Sequence, residues 1–189
     1  PENQDGNDPG DCAAGAAYLV QGSALPVSAA LEGMVQYTGA DPDCFAGGSV
    51  AGVGDVDADG YDDVLVGREG YSYGGSTYSW WANGRVWLLS GRADPASGPL
   101  VDAGSSYFST WSGYRYAAVR LSAGGDMNDD GFADMILEND RDTVVVFGPP
   151  TPGTWRLDDA VLAYRGDDTF SGVGDVNADG REDLLIGDE

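Results

Sequence analysis

Apolar residues in this chain come in short runs separated by Gly, Asp, Ser and Pro, and no long stretch repeats them at helical spacing. That pattern predicts strands at 16–20 (AAYLV), 33–38 (GMVQYT), 45–53, 64–66, 85–89 (RVWLL), 106–110, 116–121, 135–137, 143–147 (TVVVF), 160–164, 169–173 and 184–186. Residues 1–14 carry turn formers and acids and read as a loop or tail, and 149–153 (PPTPG) reads as a turn rather than a domain linker. The fold class expected is all-β.

One stretch organises the rest. Residues 52–67 (GVGDVDADGYDDVLVG), 123–137 (AGGDMNDDGFADMIL) and 172–187 (GVGDVNADGREDLLIG) each place an acidic loop between two apolar runs. After the first two copies come a connection, a strand and one further strand. The third copy lacks those parts, and the N-terminus supplies them as AAYLV and GMVQYT. Residues 1–189 therefore read as one repeat domain of three four-stranded antiparallel units: 44–110, 111–164, and 165–189 completed by 1–43.

The loops offer oxygen side chains at alternate positions. Counted from the first acid, positions 1, 3, 5 and 9 are Asp55, Asp57, Asp59 and Asp63 in the first loop, and Asp126, Asn128, Asp130 and Asp134 in the second. In the third they are Asp175, Asn177, Asp179 and Asp183. Position 6 is Gly in each, and position 7, Tyr61, Phe132 or Arg181, can add a backbone carbonyl. Hard cations such as calcium take six to eight oxygens, so each loop can wrap one, giving three calcium sites. An EF-hand opens alike but closes with Glu at position 12, where this chain has Val66, Leu137 and Ile186 inside apolar runs. Position 9 must close the site instead. Magnesium suits so many carboxylates less well. Position 8, Asp, Ala or Glu in turn, is expected to face water.

The run FAGGSVAGVGD or TFSGVGD, then D-x-[DN]-x-D-G-x-x-D, then an apolar exit strand, resembles the FG-GAP repeat of integrin alpha-subunit β-propellers and of many bacterial extracellular proteins. The resemblance covers nearly the whole chain. It implies calcium in each loop between two strands of a propeller blade, and an extracellular or cell-surface location. The Phe-Gly pair is Phe45-Ala46 and Phe170-Ser171 here, the second copy enters through Tyr116-Ala117, and the Gly-Ala-Pro signature is absent. The family's propellers have more blades than three units supply.

Charge sharpens this picture. A formal net charge of -23 crowds carboxylates that repel one another unless a cation neutralises them, and the nine basic residues, all Arg, exclude a nucleic-acid footprint. With no histidine, Ser/His/Asp and Cys/His catalysis and imidazole metal sites are excluded. Cys12 and Cys44, in polar surroundings, fit one disulfide of an exported protein, with free thiols or pairing to a partner as alternatives. No run reaches the ~20 apolar residues of a membrane helix. Pro1 does not begin a signal peptide, so a secreted protein would be represented here by a mature or excised piece.

Three functions compete. One is a calcium-rigidified adhesion or scaffold module whose split unit leaves complementary edges, joined head-to-tail to neighbouring repeats or identical subunits. Another is recognition of an extracellular protein or glycan by Tyr71, Tyr73, Tyr78, Trp80 and Trp81 in the connection 68–84, read as a long loop; Trp80 and Trp81 packed beneath it are the bland alternative. The third is an enzyme or an accessory part of one. Asp140, Asp142, Asp158, Asp159, Asp167 and Asp168 lie outside the loops, but none sits in a recognisable catalytic arrangement, so no catalytic residue is expected.

Overall fold

A computed structural model describes residues 15–22, 31, 34–39, 45–68, 71–74, 79–82, 84–103, 105–108, 117–139, 142–156, 162–165 and 169–187. Sixteen strands lie among the described residues: β1 (Ala16–Leu19), β2 (Val35–Thr38), β3 (Ser49–Gly54), β4 (Asp63–Arg68), β5 (Tyr71–Gly74), β6 (Ser79–Ala82), β7 (Arg85–Leu89) and β8 (Gly98–Pro99). They continue as β9 (Ser105–Phe108), β10 (Ala117–Gly125), β11 (Asp134–Asn139), β12 (Asp142–Val146), β13 (Gly153–Arg156), β14 (Leu162–Arg165), β15 (Thr169–Gly172) and β16 (Leu184–Gly187). A 3-10 turn spans Leu100–Asp102. Among the described residues, no helix is long and apolar enough to cross a membrane.

Two sheets repeat one plan. In the first, β3, β4, β7 and β9 lie side by side and antiparallel; in the second, β10, β11, β12 and β14 do the same. Their second strands read as near-continuous apolar runs because both faces are covered: Leu65 and Val66 of β4, and Met135, Ile136 and Leu137 of β11, are all buried.

Alternation along these strands sorts the core into layers. Val53, Val56, Leu65, Val86 and Leu88 of the first sheet meet Met135, Leu137 and Val144 of the second. On the other face, Val66 and Trp87 pack with Ala46 and Leu100, against which Ala17 of β1 and Tyr37 of β2 lie. β15 lies against β10. The sheets thus stack in the order β1–β2–β8, β3–β4–β7–β9, β10–β11–β12–β14, β15–β16.

β1 and β2 form a sheet with β8, and β15 and β16 form another, so the two halves assigned to the split unit are not paired with each other here. Two features depart from the sequence reading. Residues 71–74 and 79–82 are strands rather than parts of a long loop. β5 and β6 make an antiparallel ribbon that sets Tyr73 opposite Trp80 and Ser72 opposite Trp81.

The second departure is a pair of parallel strands that cross between units. β13 runs parallel to β9, and β8 runs parallel to β2. Each comes from the connection between a unit's third and fourth strands and pairs with the outer strand of the unit before. Such non-local parallel pairs have no local sequence signature, and β8 is merely Gly98–Pro99.

Candidate metal centres

The three acidic loops share one backbone path, built by residues at equivalent positions. Position 4 takes a left-handed conformation in each, at Ala58 (φ 57), Asp129 (φ 61) and Ala178 (φ 59). Position 6 does so too, at Gly60 (φ 92), Gly131 (φ 89) and Gly180 (φ 92), where a Cβ would be strained. These two turns fold the alternate side chains inward.

The carboxylates then organise the backbone. The position 1 side chain accepts from the N–H groups of positions 5 and 6: Asp59 N to Asp55 Oδ1 at 3.1 Å and Gly60 N to Asp55 Oδ2 at 2.9 Å, with the same pairs at Asp126 and Asp175. Position 3 accepts from position 5, through Asp57, Asn128 and Asn177. Position 5 accepts from position 7: Tyr61, Phe132 and Arg181 N–H groups donate to Asp59, Asp130 and Asp179.

Position 9 closes each loop onto its start. Val56 N–H donates to Asp63 Oδ2 at 3.0 Å, Met127 N–H to Asp134 Oδ2 at 2.8 Å, and Val176 N–H to Asp183 Oδ2 at 2.9 Å. A second donor arrives from the end of the third strand: Gly91 N–H to Asp63 Oδ1 at 2.7 Å and Gly148 N–H to Asp134 Oδ1 at 3.0 Å. Asp63 and Asp134 are each 0% exposed. The sequence reading did not single out Gly91 and Gly148. Their signal is a Gly two residues past the third strand in both units (RVWLLSG, DTVVVFG). A Cβ on Gly91 would stand 2.4 Å from the Asp62 carbonyl, so the strand end presses on the loop.

In the first loop, carboxylate oxygens of Asp55, Asp57 and Asp63 lie within 4.8 Å of one another. Burial, followed by the charges of Asp57 and Asp59, pushes the Asp63 carboxyl above its ordinary range, against the lowering effect of its two backbone donors. Asp134 is raised in the same way, by burial first and then by Asp130 and Asp126. Three acids held this close without a counter-charge are mutually destabilising, and an all-oxygen set of carboxylates fits a hard divalent cation. A bound calcium ion would supply that charge to the side-chain oxygens of positions 1, 3, 5 and 9, which are carboxylates except at Asn128 and Asn177.

Position 8 does not uniformly face water. Ala133 and Glu182 are half-buried, and each lies on the preceding loop. Ala133 N–H donates to the Asp55 carbonyl at 3.2 Å, and Glu182 N–H to the Asp126 carbonyl at 3.1 Å. The Gly before position 1 takes a left-handed conformation in each loop, at Gly54 (φ 78), Gly125 (φ 68) and Gly174 (φ 77), and a Cβ on Gly125 would also stand 2.2 Å from Cγ of Glu182. Successive loops are thereby joined through their backbones.

Of the aromatic set, Tyr71, Tyr73, Trp80 and Trp81 fall on the β5–β6 ribbon, away in sequence from the acidic loops, while Tyr78 lies outside the described residues. Cys12 and Cys44 also lie outside them, as do Asp140, Asp158, Asp159, Asp167 and Asp168.

No family model matches the chain. Mouse integrin alpha-E is 36% identical to it over 106 residues, covering 53% of this chain and 8% of that protein's length. The chain therefore has the similarity of a small part of a much longer integrin alpha subunit.

Proposed function

We propose that this chain is an extracellular calcium-binding structural module of the adhesion type, built from FG-GAP repeats in a propeller-like array and joined to neighbouring repeats or subunits. One observation carries the reading: three loops far apart in sequence share one hydrogen-bond pattern, around carboxylates whose mutual repulsion a divalent cation would relieve. The integrin alpha similarity supports the adhesion class and the extracellular or surface setting. Calcium at Asp55, Asp57, Asp59 and Asp63, and at the equivalent positions of the other loops, ties a blade's first two strands together. Metal binding is then folding free energy. No catalytic role is assigned.

Isothermal titration with calcium tests this, with about three ions taken up per chain expected under the all-oxygen ligand rule. Asp134→Asn should remove one site and leave the first and third. Uptake of no calcium by the natural chain would overturn the reading.

A second reading rests on the β5–β6 ribbon, whose register brings Tyr73 opposite Trp80. Such a ribbon suits recognition of a protein or glycan surface. Glycan-array binding lost in the Trp80→Ala, Trp81→Ala double variant would support it, and no binding by the natural chain would count against it.

A further inference from the structure

The acidic loops are not independent, because peptide groups that shape one loop also touch the next. Between the first two loops the contact is double. The Asp55 carbonyl accepts from Ala133 N–H at 3.2 Å, and Ala133 directly precedes Asp134, the closing acid of the second loop. The Val56 peptide supplies the other route. Its N–H donates to Asp63, the closing acid of the first loop, at 3.0 Å. Its carbonyl lies against Gly148, on which a Cβ would stand 2.8 Å from the Val56 oxygen. Gly148 N–H in turn donates to Asp134 Oδ1 at 3.0 Å. Val56, Asp63 and Asp134 are all buried, so this second route runs through packed groups rather than through solvent.

The first route recurs at the next junction. The Asp126 carbonyl accepts from Glu182 N–H at 3.1 Å, and Glu182 directly precedes Asp183. The Glu182 side chain packs over Gly125, the residue before Asp126. At both junctions, a residue that offers its side chain to one centre offers its carbonyl to the neighbour of the closing acid in the next. That residue is position 1, whose carboxylate also gathers the N–H groups of positions 5 and 6. Whatever fixes position 1 of one loop therefore helps to fix position 8, and with it position 9, of the following loop.

We propose that the three loops bind calcium cooperatively, each filled loop raising the affinity of the loop next to it, with Ala133, Gly148 and Glu182 as the positioning residues that carry the coupling. The proposal rests on the calcium reading and names the regulation of those sites. Its physical basis is shared ordering. An ion that immobilises Asp55 and Asp63 has already offset part of the conformational entropy lost in placing Asp134, so the second ion has less to overcome. Electrostatics opposes this, since a filled loop attracts a second cation less than an empty one does. That opposition is screened beyond about 8 Å at physiological ionic strength, whereas packed backbone contacts are not. The coupling passes between neighbours, so the second loop responds to both the first and the third, and by linkage each pair acts reciprocally.

Calcium titrations followed by the amide NMR resonances of Gly60, Gly131 and Gly180 test this, because each N–H donates to position 1 of its own loop and so reports that loop. Asp57→Ala combined with Asp59→Ala, at two exposed positions, disables the first loop without touching the core. The midpoint at Gly131 should then move to about fivefold or more higher calcium, and the midpoint at Gly180 should move less. A second measurement reads the link itself. Asn128→Ala combined with Asp130→Ala keeps the second loop empty, and in that chain calcium should still slow amide hydrogen exchange at Ala133 by about fivefold or more, which filling of the second loop cannot explain. An unmoved midpoint at Gly131 in the first variant, or exchange at Ala133 indifferent to calcium in the second, overturns the coupling and leaves the calcium reading standing. No calcium-dependent shift at any of the three glycines of the natural chain overturns both.

Discussion

At the scale of single residues, the loops depend on contacts that leave no room for substitution. A Cβ on Gly91 would meet the Asp62 carbonyl at 2.4 Å, and one on Gly148 the Ala133 carbonyl at 2.7 Å. Gly91→Ala is expected to cost about 2 kcal/mol or more, since backbone must shift to admit it. Gly52→Ala, where nothing lies within 4 Å, should cost far less. Urea denaturation of the two variants measures the difference, and equal midpoints would show that the strand end does not press on the loop.

The buried closing acids give a pH signature at the same scale. Burial raises Asp63 and Asp134 above the ordinary value of 3.8, so the folded metal-free chain holds their protons more tightly than the unfolded chain does. Their contribution to stability is therefore present at low pH and is lost as pH rises through the raised value. With calcium the sign reverses, because protons compete with the ion. Thermal melts between neutral pH and the carboxylate range should show opposite slopes in chelator and in calcium. Parallel slopes would mean that these carboxylates do not meet the ion.

At the scale of elements, the twelve strands expected from apolar runs correspond to β1–β4, β7, β9–β12 and β14–β16. Alternation between covered faces and the acidic loops made them legible. β8 and β13 were not, because a short parallel strand is specified by the distant edge it meets rather than by its own residues. The β5–β6 ribbon was missed for a different reason. Its Gly, Ser and aromatic residues lack a steady period, although aromatic and β-branched cross-strand pairs favour such ribbons. Position 8 shows the same limit: a residue that looks solvent-facing within its own loop is buried by the loop next to it. Ala133→Asp should accordingly weaken packing on Gly54, whose Cβ position lies 3.2 Å from Ala133 Cβ, and lower the melting temperature by several degrees. The same melt on Asp62→Ala, an exposed position 8, should change little.

At the scale of the whole molecule, the proposed ions held between strands would reconcile -23 formal charges with a stack of thin sheets. The repeated unit was readable because three copies of one loop state the same chemistry. The separation of its third copy from β1 and β2 needed the layer order, which rests on the faces of Leu65 and Val66 and on the parallel pair β2–β8. Stabilisation by a ligand amounts to about 2.7 kcal/mol per site at a hundredfold excess over Kd, so three filled sites would add roughly 8 kcal/mol. The most direct measurement is calorimetric melting of the chain in calcium and after exhaustive chelation. Calcium is expected to raise the melting temperature by about 10 °C or more, given roughly 2–4 °C per kcal/mol for a chain of this size. Coincident melts, with calcium present at millimolar concentration and absent, would contradict the account.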